Sequence, residues 1–186
     1  MKKIAVLISG GGSNLQAIID KCASGYINAE IACVISNNPH AYGLERAKVA
    51  NIPIKVLNHK NYASRLLYDD ELSLFLEQLD VDLIVLAGFM RILSSKIADY
   101  YYGRMINIHP SLLPRLKGLD THSRAIKAKH KYTGCTVHYV NNDLDSGEII
   151  IQKKIKIFKH DNPQSLSLRV LKLEHEAYIE ALEKII

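Results

Sequence analysis

Ile4-Ala5-Val6-Leu7-Ile8-Ser9-Gly10-Gly11-Gly12-Ser13-Asn14-Leu15-Gln16-Ala17-Ile18-Ile19 is the stretch that decides the fold of this chain. Its first five residues are all apolar and three of them are β-branched, the composition of a strand buried on both faces. Leu15, Ile18 and Ile19 then recur at helical spacing. A strand, a glycine turn and a helix in that order open a parallel α/β sheet.

The same rhythm continues outward. Residues 31–36, 54–57, 83–87 and 105–108 read as further short strands, with helices predicted over 13–23, 41–50, 62–79 and 121–129. In the long third helix Leu66, Leu67, Leu72, Leu76 and Leu79 supply the apolar positions. After Lys131 the pattern changes. Residues 133–140 and 148–158 are predicted as longer strands on either side of a polar turn, an antiparallel pair at one edge, and 164–184 as an amphipathic helix. The expected fold is α/β: a single doubly wound, mostly parallel, Rossmann-like sheet with an antiparallel edge near the C-terminus, in one domain spanning 1–186.

Composition excludes several classes. Hydrophobic residues make up 48% and charged residues 23%, a globular balance. No apolar run approaches the roughly 20 residues of a membrane span, and the N-terminal apolar stretch runs straight into glycines instead of a cleavage site. Cys22, Cys33 and Cys135 are odd in number and widely spaced, which argues against a disulfide framework and for the cytoplasm. The net charge is +5, but the lysines gather near 127–131 and 153–159 without interleaved aromatics. That favours small anions over nucleic acid.

Ser9 to Asn14 form the candidate anion loop. Glycines allow close backbone approach, the amides and dipole of a helix N-terminus favour phosphate, and Ser13 or Asn14 is the expected cap. The dinucleotide fingerprint would need a third glycine where Leu15 stands, and an acidic residue after the second strand, where Ser36-Asn37-Asn38 stand instead. A P-loop would need Gly-Lys-Ser/Thr. A mononucleotide or phosphosugar fits better than NAD.

A second constellation is Asn107-Ile108-His109-Pro110-Ser111-Leu112-Leu113-Pro114. Strand alternation puts Asn107 and His109 on one side, at the carboxyl end of a strand, and the prolines stiffen the exit. A carboxylate beside His109 would favour imidazolium. The turn Asn141-Asn142-Asp143-Leu144-Asp145-Ser146-Gly147 offers two, and spacing does not choose between Asp143 and Asp145. Cys135 and His138, three apart on a predicted strand, face opposite sides, and no His/Cys cluster has metal-ligand spacing.

Taken together, the blocks I-S-G-G-G-S-N-L-Q-A-I-I, S-N-N-P-x-A-Y-G-L-E-R-A, L-A-G-F-M-R-I-L, I-N-I-H-P-S-L-L-P, G-C-T-V-H-Y-V and D-S-G-E-I-I-I-Q cover nearly the whole chain. They resemble the phosphoribosylglycinamide formyltransferases, folate-dependent enzymes of purine synthesis. The resemblance implies formyl transfer from 10-formyltetrahydrofolate to glycinamide ribonucleotide, with no metal. It implies a catalytic trio of Asn107, His109 and Asp145, Asp145 being the acid that matches. Gly12, Ser13, Asn14 and Glu174 match the acceptor site. Arg65, Met90, Arg91, Ile92, Leu93, Asn141, Asn142, Asp143, Leu144 and Asp145 match the folate side.

Three departures from the family pattern stand out: Ala128–Lys131 in place of a small or glycine-containing turn, Asp120 at a variable position near the site rim, and a chain ending at Ile186. They bear on edge stability and self-association, and a monomer or weak homodimer is expected. Formyltetrahydrofolate hydrolase and methionyl-tRNA formyltransferase share the trio but carry further domains. The methionyl-tRNA enzymes also usually read H-A-S-L-L-P where Pro110 stands here. A noncatalytic phosphoanion-binding module would leave the trio without a role.

Overall fold

The computed structural model describes residues 1–186. In chain order the elements are β1 (Lys2–Ile8), α1 (Ser13–Ala23), β2 (Ala29–Ser36), α2 (Tyr42–Val49) and β3 (Ile54–Val56). Next come a 3-10 turn (His59–Asn61), α3 (Arg65–Leu79), β4 (Leu83–Leu86), α4 (Ser95–Tyr100) and β5 (Met105–His109). The chain continues through α5 (Thr121–Lys127), β6 (Tyr132–Tyr139), β7 (Ile149–Lys156) and α6 (Pro163–Ile185). One seven-stranded sheet has the order β3-β2-β1-β4-β5-β6-β7. β3, β2, β1, β4 and β5 are parallel, while β6 and β7 are antiparallel to their neighbours, as expected from the change of pattern after Lys131.

Alternation along β1 builds two cores. Ile4, Val6 and Ile8 pack into a layer with Leu15, Ile18, Leu166, Val170 and Tyr178, from α1 and α6. Ala5 and Leu7 face the opposite layer, formed largely by α3 and α4 with Tyr68, Leu72, Leu76 and Ile97. Each fully buried aliphatic side chain contributes about 2 kcal/mol of transfer free energy. That is why β1 and β4 carry no polar residue within their apolar runs.

Two local readings need correction. The predicted helix over 62–79 starts only at Arg65, because the Ser64 hydroxyl accepts the Leu67 amide and caps it there. Leu66 and Leu67 therefore lie on its open side, 57% and 55% exposed, while Leu72 and Leu76 are buried. The six-residue α4 was not foreseen.

Order of winding creates the site. From β1 the chain moves out to β2 and β3, then returns to β4 on the other flank, so the exits of β1 and β4 diverge over a crevice. Ile106, Ile108, Cys135 and Val137 of β5 and β6 face the α1–α6 core. Asn107, His109, Thr136 and His138 face the other way, where α3 and α4 no longer reach and loops cover the sheet. No helix is long and apolar enough to cross a membrane.

Candidate active site

The anion loop departs from the capped helix that Ser13 or Asn14 led us to expect. The residue at the N-cap is Gly12, left-handed at φ 69°, and no side chain caps α1. A left-handed backbone suits glycine, and it also brings the loop against α2: a Cβ on Gly12 would stand 2.7 Å from the Cα of Gly43. Arg46 secures the outside of the turn, donating from Nε to the Gly11 carbonyl at 2.8 Å and from Nη1 to Gln16 Oε1 at 3.1 Å. Amides without a side-chain cap and a positive helix end are what an anion needs.

Asn14 is diverted from capping by a buried partner. Its Nδ2 donates to Oε2 of Glu174 on α6 at 2.8 Å. Both side chains are nearly buried, at 7% and 9% exposure, and the Asn14 Oδ1 atom has no partner. Burial raises the Glu174 carboxyl above the usual carboxylate range, opposed by the Asn14 hydrogen bond. Two residues matched to the acceptor by resemblance thus meet across the α1–α6 junction.

The second cluster gathers at β5. His109 is 5% exposed. Its Nδ1 lies 3.2 Å from Oδ2 of Asp145, and its Nε2 lies 2.8 Å from the Leu116 carbonyl. Both ring nitrogens therefore face oxygen acceptors. The Asp145 Oδ2 atom also accepts the Gly118 amide at 2.9 Å. Asp145 and Leu116, which address the ring from its two nitrogens, have left-handed backbones at φ 46° and 57°. Such strain on non-glycine residues concentrates at sites whose geometry matters.

Asp145 reaches His109 by an indirect route. The Val140 amide bonds the Met105 carbonyl, at the start of β5, yet Asp145 touches the residue at its end. Residues 141–147 double back along the strand, and Gly147 permits this because any Cβ there would strike the Tyr139 carbonyl. Asn142 ties the loop to α4 through Asp99 Oδ1 at 2.6 Å, and Asn141 Oδ1 accepts the Asp143 amide at 3.2 Å. Asp143 and Leu144 are exposed.

His138 and Leu116 are the residues that sequence reasoning missed. His138 Nδ1 lies 2.8 Å from the Tyr139 carbonyl and Nε2 lies 3.3 Å from Asn107 Nδ2. A neutral ring, donating to Tyr139 and accepting from Asn107, satisfies both, and burial lowers the His138 pKa toward that form. One Asn107 amide hydrogen is thereby used and the other has no protein partner. Thr136 and Gln152 also hold the strand exit. The Thr136 hydroxyl donates to Ser111 O at 2.7 Å and accepts the Leu113 amide at 3.1 Å, and Gln152 Nε2 donates to Leu113 O at 3.0 Å.

Residues matched to the folate side line the β4 exit. Met90 and Ile92 are 70% and 59% exposed, a poor arrangement for core residues and a suitable one for a flat apolar ligand. Arg91 lies over the Tyr68 ring at 4.9 Å, and Leu93 is half-buried. Arg65 is exposed at the first position of α3, where a cation opposes the helix dipole.

The formyl transferase family model matches residues 2–182. Phosphoribosylglycinamide formyltransferase of Haemophilus influenzae is 52% identical over 178 residues, 96% of this chain and 84% of that protein. The human trifunctional purine biosynthetic protein adenosine-3 is 45% identical over 181 residues, 97% of this chain but 18% of that longer protein. The solved phosphoribosylglycinamide formyltransferase of Coxiella burnetii superposes with a TM-score of 0.93 at 48% identity, covering 97% of this chain and 85% of that one. With the family model matching residues 2–182 and a relative 52% identical over nearly its whole length, this chain belongs to the formyl transferase family.

Proposed function

We propose that the chain transfers a formyl group from 10-formyltetrahydrofolate to the amine of glycinamide ribonucleotide, a step of purine biosynthesis. The observation that carries this reading is the His109–Asp145 pair at the end of β5, with Asn107 of the same strand bonded to His138 beside it, in a sheet whose β1 leads into a helix end without a side-chain cap. The 186 residues act as one catalytic domain on small-molecule substrates, in the cytoplasm, as a monomer or weak homodimer.

The acceptor phosphate lies on Gly12, Ser13 and Asn14, and Glu174 faces its sugar. Met90 to Leu93 and residues 141–145 flank the pterin end of the donor, and Arg65 meets its anionic tail. The acceptor amine attacks the formyl carbon, and the carbonyl oxygen becomes an oxyanion. Asn107 donates its remaining amide hydrogen there, a contact worth on the order of 10²–10³ in rate. Imidazolium at His109 supplies the positive charge, and its Nε2 exchanges the Leu116 carbonyl for the oxyanion. Asp145 orients that ring. Protons pass from the amine to the departing folate nitrogen between Asp145, His109 and water, for roughly 10²–10⁴ in rate. The products are the formylated amine and tetrahydrofolate.

An absorbance assay for tetrahydrofolate release, with and without glycinamide ribonucleotide, tests the reading. Release that requires the acceptor is expected. Release without acceptor would make the chain a hydrolase, and no release would remove the formyl donor from the model.

A further inference from the structure

Residues 90–93 hang between two side-chain anchors. At the near end the Met90 amide donates to the Ser9 hydroxyl at 2.7 Å. At the far end the Ser94 amide donates to Oδ2 of Asp69 at 2.6 Å, and Asp69 is 2% exposed. The backbone of the segment is pinned while Met90 and Ile92 stay open to a ligand.

Ser9 does more than end β1. Its amide donates to the Gly88 carbonyl at 3.1 Å, and its carbonyl accepts Asn38 Nδ2 at 3.2 Å. Its hydroxyl donates to Oδ1 of Asn37 at 2.5 Å, and Asn37 is 5% exposed. With its proton committed to Asn37, the hydroxyl presents lone pairs to Met90. Ser9 thus opens the anion loop and bonds the first residue of the β4 exit segment across the switch point.

On the reading that residues 90–93 seat the formyl donor and Gly12 to Asn14 the acceptor phosphate, we propose that Ser9 is a positioning residue for the donor. It acts through the Met90 amide and Asn37 orients it. A residue of the acceptor loop therefore sets the backbone against which the pterin rests. Without the hydroxyl, the Met90 amide and the Asn37 oxygen lose their shared partner, and the donor seat loosens while the glycine turn keeps its own contacts to α2.

Steady-state kinetics of the full chain test this, with each substrate varied at saturation of the other. Ser9→Ala is expected to raise the donor KM about tenfold, the scale of one lost hydrogen bond that strands its partner, and to raise it several times more than the acceptor KM. Asn37→Ala is expected to raise the donor KM in the same direction. The double variant should be no worse than Ser9→Ala alone, because both act through one contact. A donor KM within twofold of wild type, an equal rise in both KM values, or additive effects would overturn the proposal while leaving the transferase reading intact. A wild-type chain that shows no acceptor-dependent release overturns both.

Discussion

The anion loop and the His109 cluster sit beside the same crevice and are built by opposite means. The loop presents main chain: a left-handed glycine, a helix end without a side-chain cap, and a backbone pressed against Gly43. The cluster presents side chains, and both ring nitrogens of His109 and of His138 are engaged. The loop keeps its donors available, whereas the cluster is immobilised by partners, two of them on left-handed backbone. A site assembled from backbone is sensitive to added atoms, and one assembled from side chains to removed ones.

Removing atoms from the cluster is the harshest way to test the contrast. His109→Ala should lower kcat about 10³-fold and Asp145→Asn about 10²–10³-fold, read with both substrates saturating. Near-normal kcat in both would break the comparison on the cluster side. Adding one methyl group to the loop comes next. Gly12→Ala places a Cβ against Gly43 on a left-handed backbone, so stability should fall by about 1–3 kcal/mol in thermal denaturation and the acceptor KM should rise. An unchanged acceptor KM would remove the loop from the acceptor site.

A smaller effect sharpens the border between the two. Asn14→Asp sets a second carboxylate against Glu174, where a donor now lies at 2.8 Å. Like charges at that range should raise the acceptor KM about tenfold. The smallest effect is on pH. Burial raises the folded-state pKa of Glu174, so its favourable contribution is present at low pH and lost as pH rises through that value. Glu174→Gln should therefore melt above wild type at neutral pH, with the difference shrinking on acidification and vanishing at about pH 3, where Glu174 is protonated in both states. A difference that grows on acidification would contradict the burial account.

The two regions also differed in how far they could be read in advance. Ile4 to Ile19 specify strand, turn and helix through local pattern, and each element formed where periodicity placed it. The cap did not, because Asn14 answers to a residue on α6 that no local rule contains. Spacing could not choose between Asp143 and Asp145. The choice depends on a doubled-back loop and a left-handed residue, both tertiary consequences. Leu116 acts through its carbonyl and so leaves no side-chain signature. Register points to His138, since it pairs directly with Asn107, but only once β6 is known to be antiparallel to β5. α4 spans too few residues to show a period.

The Asn14–Glu174 contact joins residues 160 apart in the chain. During translation at about 5–20 residues per second, Glu174 follows Asn14 by roughly 10–30 s. A growing chain therefore carries the apolar face of α1 without its α6 partner throughout that interval. Products shortened before α6 would leave Leu15 and Ile18 uncovered, a surface prone to association with other chains.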